Sequence, residues 1–283
     1  MVPSRAEGSE RASLARSTIP VAALARSAHP GPAAAVSVLA AALAVSAGLP
    51  VGRTALVVGA VASGQLSVGW SNDLIDRARD RQVGRADKPL ASGDLSVSLT
   101  KRACAVALAT TVVLSLLCGI VAGLIHLGCV AAAWAYNLGL KSTPFSWLPY
   151  ALAFGGLPVF VVMAEPGAGP PAPWMPLAGA LLGVGAHLVN TLPDLADDEA
   201  TGVRGLPHRI GPRWTRLLAV AVLSVASIVI VLGSGSVPGW LAVVALGVVA
   251  ALGVVALVAG GRAPFRAAIG IALADAVMLV AAR

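Results

Sequence analysis

The sequence predicts an all-α fold: a polytopic membrane bundle of about nine transmembrane helices around a central chamber. Three observations point there. The 283 residues are 57% hydrophobic and only 12% charged, the profile of a chain that crosses a bilayer repeatedly. Apolar runs recur near the ~20 residues that a helix needs to span the hydrocarbon. And 18 of the 20 Lys and Arg fall in alternate connections between those runs, the asymmetry that membrane insertion imposes on loops.

Residues 1–28, rich in Arg, Ser and Ala, are expected to be a flexible cytoplasmic arm. Ile19–Ala25 is too short to span, and no long apolar stretch leads into a small-residue cleavage site, so a cleaved signal peptide is not expected. Residues 29–283 are expected to form a single transmembrane domain. Its spans fall at 31–50, 53–72, 102–121, 122–140, 147–164, 175–194, 215–233, 238–260 and 264–282. Only Gly119, Gly123, His126 and Gly128 punctuate the third and fourth spans. Pro166 to Pro176 holds five prolines and two glycines and reads as an external loop, as does Gly233 to Gly239.

Nine spans with the N-terminus inside put the basic residues in the cytoplasm. The arm carries Arg5, Arg11, Arg16 and Arg26. The second-to-third connection carries Arg77, Arg79, Arg81, Arg85, Lys88, Lys101 and Arg102. Later inside loops carry Lys141, then Arg204, Arg209, Arg213 and Arg216, then Arg262 and Arg266; only Arg53 and Arg283 fall outside. The expected setting is a bacterial plasma membrane, with the C-terminus outside. The net charge of +7 follows from topology and phosphate binding. No basic stripe with interleaved aromatics points to nucleic acid. Cys104, Cys118 and Cys129 lack metal-ligand spacing and read as small apolar fillers.

Two acidic runs interrupt this apolar chain. Asn72-Asp73-Leu74-Ile75-Asp76-Arg77-Ala78-Arg79-Asp80 closes the second span. Asn190-Thr191-Leu192-Pro193-Asp194-Leu195-Ala196-Asp197-Asp198 closes the sixth. Together they hold six of the 13 acidic residues. Carboxylates persist near a bilayer when charge or metal compensates them. Asn72, Asp76 and Asp80 are spaced i, i+4, i+8, with Asp73 three before Asp76, which puts them on one helical face. Asn190, Asp194 and Asp198 repeat the spacing. Both runs end even-numbered spans, so both lie at the cytoplasmic face. The simplest alternative is that these Asp residues cap helices and balance nearby Arg. Carboxylates at a helix C-terminus, however, oppose the macrodipole. The pattern therefore points to hard-cation sites of the Mg2+ type, which join one or two carboxylates to substrate phosphates. Two such ions would bridge a diphosphate and invert the local charge.

At these residues the chain resembles the UbiA-type superfamily of intramembrane prenyltransferases. Asn72, Asp73, Asp76 and Asp80 match that family's Asn-Asp-x-x-Asp-x-x-x-Asp motif, and Arg85, Lys88 and Pro89 its basic continuation. Asp194 and Asp198 match its Asp-x-x-x-Asp motif, with Gly202, Arg204, Leu206-Pro207 and Arg209-Ile210-Gly211 after it. Tyr136 to Lys141 is similar to its tyrosine-to-lysine segment. The likeness covers about residues 26–283. Where the family usually has Arg-Pro near the first span, this chain has His29-Pro30, with Arg26 upstream.

The resemblance implies transfer of a prenyl group from a polyprenyl diphosphate to a small aromatic or isoprenoid-related acceptor within the membrane. It implies Mg2+ as two ions held by Asn72, Asp73, Asp76, Asp80, Asp194, Asp197 and Asp198. Asp76, Asp80, Asp194, Asp198 and Tyr136 are then the catalytic candidates. Asn72, Arg85, Lys88, Lys141 and Arg204 are candidates for the diphosphate. Gln65, His187 and Asn190 are candidates for the acceptor or chamber wall, and Asp275 is an acid deep in the last span. A membrane terpene cyclase with the same ionisation remains open. From another class, so does a Mg2+ transporter or a non-catalytic scaffold, although transport usually places ionisable groups at mid-membrane. A phosphatidyl-transfer enzyme would need Asp-Gly-x-x-Ala-Arg, whereas Leu74-Ile75 follows Asp73.

Overall fold

The computed structural model describes residues 21–85, 87–200, 202–235, 237–259 and 263–282, without the side chains of 196, 197 and 200. These residues form α1 (Val21–Ser27), α2 (Pro30–Ser46), α3 (Val51–Gln82), the short α4 (Pro89–Ser92), α5 (Val97–Leu117) and α6 (Ile120–Leu138). After a 3-10 turn at Leu140–Ser142 come α7 (Leu148–Met163), α8 (Trp174–Thr191), the short α9 (Leu195–Ala200), α10 (Leu206–Ser234), α11 (Gly239–Val258) and α12 (Ala263–Ala281). The nine long helices overlap the nine expected spans. The described residues contain no strand.

Among the described residues six helices are long and apolar enough to cross a membrane: α3, α5, α6, α10, α11 and α12. α2 joins them only together with α1, from which it bends by 69°. α3 departs most from expectation. It runs 32 residues, roughly 48 Å at 1.5 Å per residue, against a hydrocarbon core of ~30 Å. The first acidic run therefore lies inside the helix, and Arg79 and Arg81 occupy the last turn, where the dipole favours them. α10 begins before its expected span because Gly211 (φ 78°) and Pro212 kink one segment into the next.

Neighbouring helices pair around the bundle, and α12 returns to pack on α2. One apolar core joins α2, α3, α6, α7, α8, α10 and α12 around Leu43, Phe160 and Val161. A second joins α8, α10, α11 and α12 around Leu188, Leu223 and Ile271. α7 and α8 meet along glycines. A Cβ on Gly179 or Gly183 would run into the backbone of Phe154 or Tyr150, the close approach that small residues allow between membrane helices. Val106, Val113, Val243, Val254 and Val258 point outward, as lipid-facing side chains do.

The chain expected as a free arm changes character at Val21. α1 packs Ala23 and Leu24 against Leu74 and Leu90, and Trp70 donates its indole N–H to the Leu24 carbonyl at 2.9 Å. Residues 1–20, Arg262 and Arg283 lie outside the described residues.

Candidate functional site

The protruding end of α3 carries the first cluster, and three separate segments fold back over it. Asp73, Asp76 and Asp80 are all buried. A buried carboxylate is costly unless paired, and each one here is paired. Asp76 is the hub. Lys141 Nζ lies 2.6 Å from both of its oxygens, Arg79 sits at 2.8 Å, and the Asn72 amide donates to Oδ2 at 3.1 Å. Lys88 bridges Asp73 and Asp80 at 3.2 and 3.0 Å. Burial works against the Lys88 ammonium, yet the two carboxylates outweigh it and raise its pKa. For Lys141 burial wins, and the pKa falls despite Asp76.

The local backbone explains how these partners arrive. Gly139 (φ 154°) ends α6 and turns the chain so that Lys141 points back at α3. Pro89 starts α4 with Lys88 at its N-cap position. Gly205 lets the loop before α10 close on Ser146, where a Cβ would meet the Lys141 carbonyl.

Three residues reach the site that spacing alone did not single out. His29 Nε2 lies 3.0 Å from Asp73 Oδ1. It adopts a left-handed conformation (φ 52°), which costs a non-glycine residue about 1 kcal/mol or more. A Cβ on Gly69 would strike Ala28, so glycine there lets the α1–α2 bend approach α3. Arg26 is exposed, and His29 is the residue that meets the cluster. Asn137 ties α6 to α3 by donating to Ser71 Oγ at 2.8 Å and to the Val68 carbonyl at 3.0 Å, and it accepts from Asn72 at 3.4 Å. His208, on α10, lies 3.6 Å from Asp198.

The second cluster differs from the helical stripe that spacing suggested. α8 ends at Thr191 and α9 starts at Leu195. Pro193 offers no N–H and its ring clashes with the preceding turn, so Asn190, Asp194 and Asp198 do not share one helix. Asp194 and Asn190 are exposed, and Asn190 hydrogen-bonds Tyr150. Asp198 is part-buried. Burial raises its pKa, against the charges of His208, Arg79 and Lys141. Two of those three belong to the Asp76 group, so the clusters confront each other. Tyr136 is near enough to both for the charges of Asp76 and Asp198 to act on its hydroxyl. The Asp197 side chain lies outside the described residues.

Beside Tyr136 is an aromatic group. Tyr150 stands edge-on to it at 5.3 Å, and His187 is 5.8 Å from Tyr136 and 4.9 Å from Tyr150. His187 Nε2 pairs with Ser146 Oγ at 3.0 Å, which also accepts from the Leu206 N–H at 3.0 Å. Other expected residues lie apart. Arg204 is exposed. Arg85 is exposed and grips Asp87 with two bonds of 2.9 Å. That pairing holds the Asp87 pKa down at about 2 and raises Arg85, with Asp80 and Asp194 adding to the effect. Gln65 lines an apolar cleft beneath the cluster. Asp275 is fully buried on α12, has no contact with either cluster among those described, and accepts from Ser227 Oγ at 2.5 Å.

The donors aimed into the site are carboxylate and amide oxygens, which suit a hard cation. Among the described residues no three acidic, histidine or cysteine groups converge tightly enough to enclose an ion alone. A cation held here must complete its shell from water and ligand oxygens.

The structure thus gathers two carboxylate groups and their lysines at one end of a bundle of membrane-length helices, which defines the chain as an intramembrane protein with a charged site at its edge. Comparison with known proteins is specific. The family model described as the UbiA prenyltransferase family matches residues 33–274, and the chain belongs to that family. The bacteriochlorophyll synthase 33 kDa chain of Cereibacter sphaeroides is 35% identical over 191 residues, 62% of this chain. The match spans 61% of that relative's length. The fold matches a UbiA homologue from Archaeoglobus fulgidus bound to GPP and Mg2+, with TM-score 0.68 at 16% identity over 92% of this chain and 99% of the other. It also matches the apo UbiA homologue from Aeropyrum pernix, with TM-score 0.71 at 18% identity over 87% and 97%.

Proposed function

We propose that this protein transfers a prenyl group from a polyprenyl diphosphate to a ring-bearing acceptor inside the membrane, in a single domain spanning residues 29–283. The observation that carries the reading is the approach of the two carboxylate groups: Lys141 and Arg79 pair with Asp76 at 2.6 and 2.8 Å, and both also act on Asp198. Family membership and a bacteriochlorophyll synthase relative support prenyl transfer; the acceptor is left to experiment.

Asn72, Asp73, Asp76 and Asp80 on one side, with Asp194, Asp197 and Asp198 on the other, would hold two Mg2+ ions. Bound there, Mg2+ supplies charge neutralisation for a departing diphosphate. The protein's own groups do the rest. Lys88 and Lys141 are poised to shift from carboxylate to phosphate oxygens, with Arg85 and Arg204 at the rim; charge-assisted bonds of this kind strengthen as the leaving group gains charge. The C–O bond breaks with its electron pair going to the diphosphate. The allylic cation is then kept from water by the apolar helices, with the rings of Tyr136 and Tyr150 beside it. An acceptor carbon forms the new bond and loses a proton, for which His187 is a nearby base. The basic loops support a site on the cytoplasmic side of a plasma membrane.

The direct test is pyrophosphate release by the detergent-purified protein with Mg2+, geranyl, farnesyl and geranylgeranyl diphosphates, and a panel of ring acceptors. Release that depends on an acceptor is expected. Acceptor-independent release with a hydrocarbon product would replace this reading with a cyclase.

His29 gives a subtler prediction. A hydrogen bond to a charged group contributes about 1.5–3 kcal/mol, so His29→Ala is expected to raise the donor KM about tenfold while kcat changes less. His29→Arg should retain near-normal KM. Equal KM values for all three proteins would show that His29 does not support Asp73.

A further inference from the structure

Beneath the carboxylates an apolar cleft runs between α2, α3, α6 and α7. Its walls can be ordered by register. Val68 and Gln65 lie four and seven residues before Asn72 on α3, one and two turns below the cluster, with Ala133 opposite on α6. The deepest walls are Val61, His126 and Leu157. Val61 is eleven residues before Asn72, roughly 16 Å down the helix. There the cleft meets an aromatic pair. The His126 ring stacks on Phe160 with centroids 4.5 Å apart and planes 17° from parallel. Phe160 is fully buried, three residues beyond Leu157 on α7.

This pair is fixed in a way that the upper walls are not. His126 Nδ1 and Ser115 Oγ are 2.7 Å apart. Ser115 donates to the Thr111 carbonyl, and Thr111 Oγ donates to Ser63 Oγ at 3.0 Å. A hydrogen-bonded chain from α5 and α3 thus holds the ring, while α7 stacks beneath it. Polar groups at this depth are kept only when bonded, and the chain satisfies them. The cleft itself is narrow, about 40 Å3, so a long ligand must part its walls. Gln65 and Phe154 are half-buried and can yield; the stacked, hydrogen-bonded pair is the part that resists.

We propose that the His126–Phe160 stack is the floor of the prenyl-tail chamber and sets the donor length that this protein prefers. This rests on the prenyl-transfer reading above. The occupant follows from register and chemistry: Val68, the upper wall, lies one turn below Asn72 on the same helix, and the walls are mostly apolar, with Gln65 and His126 the polar exceptions. A tail too long must displace the stack, which overpacks the site. A tail too short leaves a void.

The test compares kcat/KM for geranyl, farnesyl, geranylgeranyl and longer diphosphates in the full-length protein. His126→Ala and Phe160→Ala are expected to shift the ratio toward longer donors by about tenfold or more, the discrimination that one misfitting apolar group can give. Ala133→Phe, which adds bulk above the floor, should shift it toward shorter ones. Unchanged length profiles in active variants would overturn the floor while leaving prenyl transfer standing. If the two floor variants do not fold, an unchanged profile in Ala133→Phe does the same. A wild-type protein that releases pyrophosphate from no donor would instead overturn the reading on which the floor rests.

Discussion

Asp76→Asn is expected to lower pyrophosphate release by about 10^3-fold or more, the scale seen when a group that stabilises transition-state charge is removed. Asp76 receives Lys141, Arg79 and Asn72 at once, so its charge organises more of the α3 face than any other single carboxylate there. The amide keeps the shape and an acceptor oxygen for Lys141 but loses the negative charge. A bound metal ion would lose a ligand, and the buried Lys141 and half-buried Arg79 lose their counterion. Removing one partner of a buried ion pair costs about 3–5 kcal/mol; the partial exposure of Arg79 tempers that here. The variant should therefore melt earlier yet remain a folded monodisperse peak in detergent. Asp80→Asn should be milder, since Asp80 shares Lys88 with Asp73. Turnover close to wild type in a folded Asp76→Asn protein would remove the carboxylate from the chemistry.

Much of this architecture is visible in the residue order, because bilayer thickness imposes a length on each apolar run and topology imposes a charge on each loop. What escaped has identifiable causes. The helical spacing of Asn72 to Asp80 was legible, but the length of α3 was set at the last apolar residue of the span, whereas the helix continues through the charged run to Gln82 because Lys88 and Lys141 pair with its carboxylates. The break after Thr191 was legible in Pro193 but was overridden by the attraction of a repeated spacing. The site partners His29, Asn137 and His208 depend on contacts across 44 or more residues in the first two cases, and spacing rules reach only one or two turns. His29 left a trace all the same, as the place where His-Pro replaces the family's Arg-Pro. Asn137 left none beyond its neighbour Tyr136. Spacing also gave no sign that Lys88 and Lys141, read there as partners for a diphosphate, would pair with the α3 carboxylates, so that the fold supplies the cluster with cations of its own.

Those cations make the second large prediction sharper. Chelation of divalent metal is expected to stop turnover completely, and millimolar Mg2+ to restore it, even though Lys88, Lys141 and Arg79 already match the three α3 carboxylates. The charges decide it. With its carboxylates matched by its own side chains, the site has no surplus positive charge for a diphosphate. A lysine that turns to the phosphate uncovers the carboxylate it leaves. Only an added cation can satisfy both anions at once. Chelation should therefore also weaken donor binding, read by equilibrium dialysis of labelled diphosphate, and not merely slow a later step. Ca2+, which accepts a looser and larger oxygen shell than the octahedral Mg2+ site, should restore binding better than turnover. Full activity in metal-free buffer would mean that the lysines alone carry the diphosphate, and the two carboxylate groups would then need another purpose.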